Sequence, residues 1–516
     1  MERPKPVCLI ILDGWGHREE KTDNAIAEAK TPFFDSLMAR YPNTILNASQ
    51  EYVGLPKGQI GNSEIGHMTM GAGRTIDVDL VKINKAAEHG EFSTNASFVR
   101  LFDHVTQNNS TLHVVGLIGT GGVHSHQDHL HHFLRAAAKA AVQRIAIHAI
   151  TDGRDLPPQS AAKHLKDLEE LLNELGIGFI ATVHGRFYAM DRDKNWDRIA
   201  KTEAAMFDGE APVKHHDQLP SEALSELYAT GAIDEHIVPM VFLDKDGKSW
   251  PVAKHDGVFY FNYRPDRARQ LTQKILEREA ALDLCVATLT EYDPNLKTLV
   301  AFPQTRLSTS LAKEVSAAGL SQSHIAETEK YAHVTYFFDG GNETPYPNER
   351  FFVIESRKDI PTHDLAPEMR AKEIADKAIE RIAAGDDLLV INFANADMVG
   401  HTANRPAIIT AVETVDRELA RVVHAALVHH GAVIVTADHG NAEINIDPVT
   451  HERHTAHTLS LVPCIFIADD TDGAPRFRLA SSTPGTLADI TPTILSIMEL
   501  PIPDGMTGHP LVSLKI

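Results

Sequence analysis

Two hydrophobic rhythms alternate along the chain. Short unbroken apolar runs recur from end to end: VCLIIL at 7–12, LHVVGLIG at 112–119, RIAIHAI at 144–150, GFIATVHG at 178–185, GVFYFNY at 257–263, LLVINF at 388–393 and AVIVT at 432–436. Their length and their β-branched and aromatic content predict buried strands. Between them lie segments with helical spacing. SAAKHLKDLEELLNELG at 160–176 and IITAVETVDRELARVVHAALVHHG at 408–431 are amphipathic, and each is closed by a glycine. Strand–helix alternation predicts an α/β fold with mostly parallel sheets. No internal repeat and no low-complexity linker interrupts it.

Three of the strands end in acid and histidine. The first runs into Asp13, the run at 388–393 continues to Asp397 and His401, and the run at 432–436 continues to Asp438 and His439. A fourth piece, HERHTAHT, adds His454 and His457. In parallel sheets such tips gather at one edge. Carboxylates and imidazoles together there suit two divalent cations about 3.5–4 Å apart, which can activate a nucleophile and stabilise a phosphoryl transition state. A single aspartate at a strand end is commonly just a cap or turn former. Three tips bearing metal-type ligands, with Asp397 and His401 spaced to share a helical face, favour the metal reading.

GQIGNSEIGH places Ser63 in what reads as a glycine-rich loop, where freed amides can approach a phosphate. Asn62 can donate to a phosphoryl oxygen. Alone this is a weak signal, equally a surface turn with a capping serine. Beside a metal cluster it becomes a nucleophile, because a bound cation lowers the hydroxyl pKa.

The middle of the chain carries different chemistry. Its strand tips bear Arg154 in TDGRD, Arg186 and Arg192 in HGRFYAMDR, and Arg264 and Arg267 in NYRPDRAR. Any one of these can be a surface ion pair. Five guanidinium forks at three tips favour a small dianionic ligand. In the histidine run HSHQDHLHH, at a helix start, His124 is the candidate for substrate contact and the others read as structural or solvated. Two α/β domains with different tasks account for the division. A metal domain is built from 1–78 and 306–516, and a substrate domain at 79–305 is inserted into it, with crossings near 77–79 and 302–309.

Composition narrows the partners. The 516 residues are 43% hydrophobic and 23% charged, as in an ordinary globular protein. A net charge of -21 without a Lys/Arg-dense block argues against nucleic acid. No apolar stretch approaches the ~20 residues that span a bilayer, and the N-terminus lacks a signal-peptide pattern. Cys8, Cys285 and Cys464 read as buried free thiols of a reducing compartment. A cytoplasmic location and a monomer are expected.

Taken together, LDGWG, GNSEIGH around Ser63, TDGRD, NYRPDR, NADMVGH and TADHGN resemble the cofactor-independent phosphoglycerate mutases of the alkaline-phosphatase-like superfamily. The resemblance runs essentially end to end. LDGWG or TADHG alone would mark only the superfamily, and the arginine motifs point to the mutases within it. It implies a phosphatase-like metal domain with an inserted transferase domain. It also implies one metal at Asp397, His401 and His457, and a second at Asp13, Ser63, Asp438 and His439. Manganese is the family's usual ion, with magnesium or cobalt in some members, and imidazole-rich ligation suits manganese or zinc. His454 competes with His457 for the last ligand position of the first metal.

The implied substrate residues are His124, Arg154, Asp155, Arg186, Arg192, Arg264, Arg267 and Lys330. The implied reaction interconverts 3-phosphoglycerate and 2-phosphoglycerate through a phosphoserine at Ser63. Lys330 would neutralise phosphoryl charge, Asp155 would move the hydroxyl proton, and the domains would close against water. Two other classes stay open. One is a hydrolase sharing the metal site, against which the arginine-bearing insert argues. The other is a metal-binding scaffold, against which Ser63 argues.

Overall fold

The computed structural model describes residues 3–304, 307–470 and 473–514. The chain divides into two compact units, Met1–Val78 with Arg306–Ile516, and Asp79–Thr305. The second crossing, at 305–306, lies outside the described residues.

The first unit is built on an eight-stranded sheet. Its centre is Val7–Leu12, every residue of which is buried. Leu388–Phe393 lies on one side and Ala432–Thr436 on the other, both parallel to it, with Leu12 opposite Phe393. Gln322–Glu327 and then Glu349–Ile354 extend the parallel set outward. Strands covered on both faces can be apolar throughout, which is why these runs lack alternation. Five strands therefore deliver their C-terminal ends to one edge. Beyond Ala432–Thr436 the sheet turns antiparallel through Val462–Ile467 and Asn43–Asn47.

Ser63 does not lie in a loop. It is the first residue of a helix, Ser63–Ala72, capped by Asn62, whose Oδ1 accepts from the Ile65 amide at 2.9 Å. Of the glycines that suggested a loop, Gly61 and Gly66 serve close packing, whereas Gly58 meets nothing within 4 Å at a φ of +79°. A Cβ on Gly66 would sit 2.7 Å from Asp438 O, and one on Gly71 would sit 1.9 Å from Phe338 O.

The second unit has its own eight-stranded sheet, in the order Leu299–Val300, Cys285–Thr288, Gly257–Tyr260, Leu112–Leu117, Ile145–Thr151, Phe179–Gly185, Met240–Phe242, Val213–His215. Only the pairing of Phe179–Gly185 with Met240–Phe242 is antiparallel. Phe98, Phe133 and Phe259 pack edge-on and tilted against one another beneath it. Cys8 and Cys464 are buried free thiols, whereas Cys285, at the start of a peripheral strand, is only partly covered. Among the described residues no helix is long and apolar enough to cross a membrane.

The packing of the Ser63 helix gives a direct expectation. Gly71→Ala should lower stability by about 1–3 kcal/mol, since the added methyl displaces backbone rather than a side-chain tip. An unchanged urea midpoint would show that the helix does not pack this closely against Phe338.

Candidate active site

At the shared edge of the first sheet, the residues that follow four parallel strands converge. Asp13 follows Val7–Leu12, Asp397 lies on the short helix Asn395–Gly400, Asp438 follows Ala432–Thr436, and Lys330 lies in the turn Thr328–Lys330 beyond Gln322–Glu327. Asp13, Asp397 and Asp438 are almost wholly buried, and so is Lys330. Its Nζ lies 2.7 Å from Asp13 Oδ1, 2.7 Å from Asp397 Oδ2 and 2.7 Å from Ser63 Oγ. Ser63 Oγ also lies 2.9 Å from His439 Nε2 and 3.4 Å from Asp13 Oδ1.

Two imidazoles meet Asp397. His401 closes the Asn395–Gly400 helix, four residues after Asp397, and its Nε2 is 3.3 Å from Asp397 Oδ1. His457 Nε2 reaches the same oxygen at 3.1 Å. Each ring is oriented from its other side: His401 Nδ1 donates to Thr455 O at 2.7 Å and His457 Nδ1 to Gly61 O at 2.9 Å. In that tautomer both Nε2 lone pairs are free for a cation, the arrangement found around bound metals. Asp397, His401 and His457 have their ligand atoms within 4.8 Å of one another, as do Asp13, Asp397 and His439. His454 does not join either group. Asp438 Oδ2 is buried and finds no hydrogen-bond partner. Donor chemistry, ring orientation and this orphaned oxygen all fit divalent cations.

The electrostatics follow from crowding. Burial and the neighbouring Asp438 push the Asp13 carboxyl above its ordinary range. Burial would raise Asp397 too, but Lys330 and the two imidazoles hold it well below. Asp438 is likewise held low against burial, by His439, His67 and Lys330. The Lys330 ammonium, opposed by burial, is retained by Asp13 and Asp397. Lys330, which the resemblance implies at the phosphoryl group, is here the cation of a desolvated acidic cluster.

Three partners escaped the sequence reading. Asn392 Nδ2 donates to Asp13 Oδ2 at 2.7 Å and lies 3.1 Å from His67 Nε2. His67 Nδ1 lies 2.8 Å from Ser63 O and 3.3 Å from Asp438 Oδ2. Asn441 Nδ2 donates to Asp397 Oδ1 at 2.8 Å. His67 stands four residues after Ser63, the spacing of one helical face, and that signal was available. Nothing local distinguished Asn392, which sits inside an apolar run.

The second unit gathers the arginines at the tips of its own parallel strands. Arg186 is buried, and its Nη1 donates to Asp152 Oδ1 and Asp155 Oδ2, both at 2.6 Å. Asp152 was not singled out from sequence, although it opens the Gly153 turn and accepts the Arg154 and Asp155 amides. Asp266 accepts from Arg192 at 3.1 Å and lies 3.2 Å from Arg264 Nε. Arg267 donates to Met190 O. Burial and the nearby Arg192, Arg186 and Arg154 press its pKa down, so the guanidiniums repel one another. His124 lies among them, 3.8 Å from Asp155 Oδ2 and 3.7 Å from Asp266 Oδ1. Burial and Arg186 lower its pKa to about 4, so the ring is neutral at pH 7. His126 instead caps the helix Gln127–Lys139, and buried His129 meets Asn84.

Two family models match successive stretches of the chain. The family described as BPG-independent PGAM N-terminus matches residues 83–294, and type I phosphodiesterase / nucleotide pyrophosphatase matches 290–470. The chain is 46% identical to a 2,3-bisphosphoglycerate-independent phosphoglycerate mutase of Thermomicrobium roseum, over 99% of both chains. It is 45% identical to the Chloroflexus aggregans protein of the same name, again over 99% of both. Among solved structures, a Leishmania mexicana phosphoglycerate mutase at low cobalt concentration aligns with a TM-score of 0.58 and 29% identity, covering 100% of this chain and 98% of that one.

Removing the buried ammonium should expose the charge balance. Lys330→Met is expected to destabilise the metal-free first unit by about 3–5 kcal/mol, because it leaves Asp13 and Asp397 uncompensated. Added Mn2+ should then raise the melting temperature of the variant more than that of wild type. Equal shifts in the two proteins would mean that Lys330 and the cation do not answer the same carboxylates.

Proposed function

Since the chain belongs to the family of 2,3-bisphosphoglycerate-independent phosphoglycerate mutases, we propose that Ser63 is its phosphoryl acceptor and that the arginines of the second unit hold the glycerate. The protein is an isomerase that interconverts 3-phosphoglycerate and 2-phosphoglycerate. It uses divalent metal. Manganese is the ion we assign, one cation held by Asp397, His401 and His457 and another by Asp13, Ser63, Asp438 and His439. We place the enzyme in the cytoplasm, as a monomer acting on small molecules without nucleic acid, in keeping with its free cysteines and acidic charge.

The observation that carries this reading is the setting of Ser63 Oγ. It sits at a helix N-terminus, 2.7 Å from Lys330 Nζ and 2.9 Å from His439 Nε2. A phosphate there meets a positive helix end and an ammonium. The bound cations would lower the serine pKa and offset the charge of the phosphoryl group. Ser63 Oγ, its proton released to solvent, attacks phosphorus, the bond from phosphorus to the glycerate oxygen breaks, and that oxygen takes a proton from Asp155. Lys330 stays beside Ser63 Oγ and stabilises the phosphoryl oxygens. The arginines keep hold of the glycerate carboxylate. The other hydroxyl then loses its proton and attacks the phosphoserine, restoring Ser63. Asp155 is our assignment for moving that proton. It is oriented by Arg186 and stands near a neutral His124 that can relay it.

The primary test is mutase activity on 3-phosphoglycerate without added bisphosphoglycerate, with EDTA and with restored Mn2+. Ser63→Ala should abolish it, and Asn62 should still cap the helix so that the fold survives. Substantial residual turnover would remove Ser63 from the reaction.

Protons and cations compete for the same imidazole lone pairs. Asp397 raises the His401 pKa, and it raises that of His457 against the opposing effect of burial. Both rings therefore hold a proton to higher pH than a free histidine, and metal binding must expel it. The half-saturating Mn2+ concentration should begin to rise, as pH falls, already above about 6.5, the ordinary histidine value. The same half-saturation at about pH 6 and pH 8 would contradict imidazole ligation.

Arg264→Lys keeps charge but loses the planar fork. Losing one charge-assisted hydrogen bond costs about 1.5–3 kcal/mol, roughly ten- to hundredfold in rate. Glycerate held less firmly should escape while Ser63 is phosphorylated, so phosphate release should rise relative to mutase turnover, at unchanged metal content. Metal loss, or an unchanged ratio, would sink the assignment of metal and substrate to different units.

A further inference from the structure

The first unit contains another group of ligand-type side chains that the mutase chemistry does not use. His324 lies on the strand Gln322–Glu327, Asp339 follows the helical turn His333–Phe337, and Glu349 opens the neighbouring strand. All three are buried, and their ligand atoms lie within 4.8 Å of one another. Atoms bound to one cation at about 2.0–2.2 Å must lie within about 4.4 Å of each other, so little adjustment is needed.

The hydrogen bonding around this group is incomplete in a particular way. Asp339 is 3% exposed, and neither of its carboxylate oxygens has a hydrogen-bond partner. Glu349 Oε1 has none either, while its Oε2 accepts from the Tyr346 amide at 2.6 Å. His324 Nδ1 donates to Val334 O at 2.5 Å, which leaves Nε2 as a lone pair. That lone pair faces two acceptor oxygens, Glu349 Oε1 at 3.3 Å and Gln322 Oε1 at 3.2 Å. The Gln322 amide is fixed in this sense, because its Nε2 donates to Ala312 O at 2.7 Å. Gln322 and His324 are two apart on one strand and so project to the same face.

With both carboxyl groups ionised, four acceptor groups thus converge with no donor among them. We propose that His324 Nε2, Asp339, Glu349 and Gln322 Oε1 bind a divalent cation, Mn2+ or Zn2+ by donor type, at a site sharing no residue with the Ser63 cluster.

Protons alone serve this group less well. Burial and the Glu349 carboxylate push Asp339 up to about 10, so one proton between the two acids is accessible. It would leave the His324 lone pair facing the Gln322 oxygen. A second proton, on His324, is opposed by burial, which lowers that ring's pKa. A dication satisfies every facing acceptor and neutralises two buried carboxylates together. His324 and Glu349 bracket the segment that carries Lys330 and Asp339. A cation here would clip both ends of it and hold Lys330 in register with Asp13 and Asp397.

The test counts ions on the full chain by equilibrium dialysis against saturating Mn2+, and separately Zn2+, followed by elemental analysis. Wild type should bind one more ion per chain than Asp339→Asn/Glu349→Gln, a pair of near-isosteric changes that remove the mutual repulsion. His324→Ala should lose the same ion. In a His401→Ala/His457→Ala background, the ion removed by Asp339→Asn/Glu349→Gln should still be present. The count at this site is therefore read independently of the Ser63 cluster. Circular dichroism on each variant keeps a folding failure from passing for ion loss. Equal counts for wild type and both variants with both ions would overturn the proposal and leave the acids held by protons.

Discussion

Three buried carboxylates at one edge of a parallel sheet dominate the first unit. Asp13, Asp397 and Asp438 are taken out of water by the same strands that form the core, and desolvating each charge costs several kcal/mol. Whatever compensates them is therefore held strongly and in a defined place. In the protein itself that role falls to Lys330 and to a ring of imidazoles, each fixed from behind by a backbone carbonyl. The serine we propose as phosphoryl acceptor lies within hydrogen-bonding distance of this cluster because Gly66 and Gly71 let its helix approach Asp438 and Phe338. Burial, charge compensation and the placement of Ser63 are thus consequences of one arrangement.

The second unit answers a different requirement. Its arginines sit close enough together to repel one another. Aspartates 152, 155 and 266 hold their guanidiniums in place, and Arg186 gives one nitrogen to two carboxylates. A neutral His124 among these charges adds nothing to the repulsion. In the proposed reaction, holding and reacting are divided between two sheets, each delivering its residues from the C-terminal ends of parallel strands.

Much of this was legible in the chain. Continuous apolar runs announced doubly covered strands, and the residues after Leu12, Phe393 and Thr436 announced the acidic edge. The helical spacing of Asp397 and His401 survives in the fold. Other features were hidden for physical reasons. The glycines around Ser63 resembled loop residues, because sequence does not distinguish backbone freedom from close approach. Lys330 stands on a polar stretch, and only the fold shows that it is desolvated between Asp13, Asp397 and Ser63. Asn392 is a polar residue within a buried strand, and only the neighbouring Asp13 explains it. The opposed acceptors of His324 and Gln322 depend on which ring nitrogen meets Val334, a tertiary contact.

The central claim is that the phosphoryl group passes through Ser63. It is tested most directly by mixing the metal-loaded enzyme with 3-phosphoglycerate labelled in its phosphate, quenching in acid within a turnover, and mapping the label by peptide mass spectrometry. Label on the peptide containing Ser63, at a level that falls as substrate is exhausted, is the predicted result. Label on another residue, or turnover with no label on the protein at any time, would contradict the account.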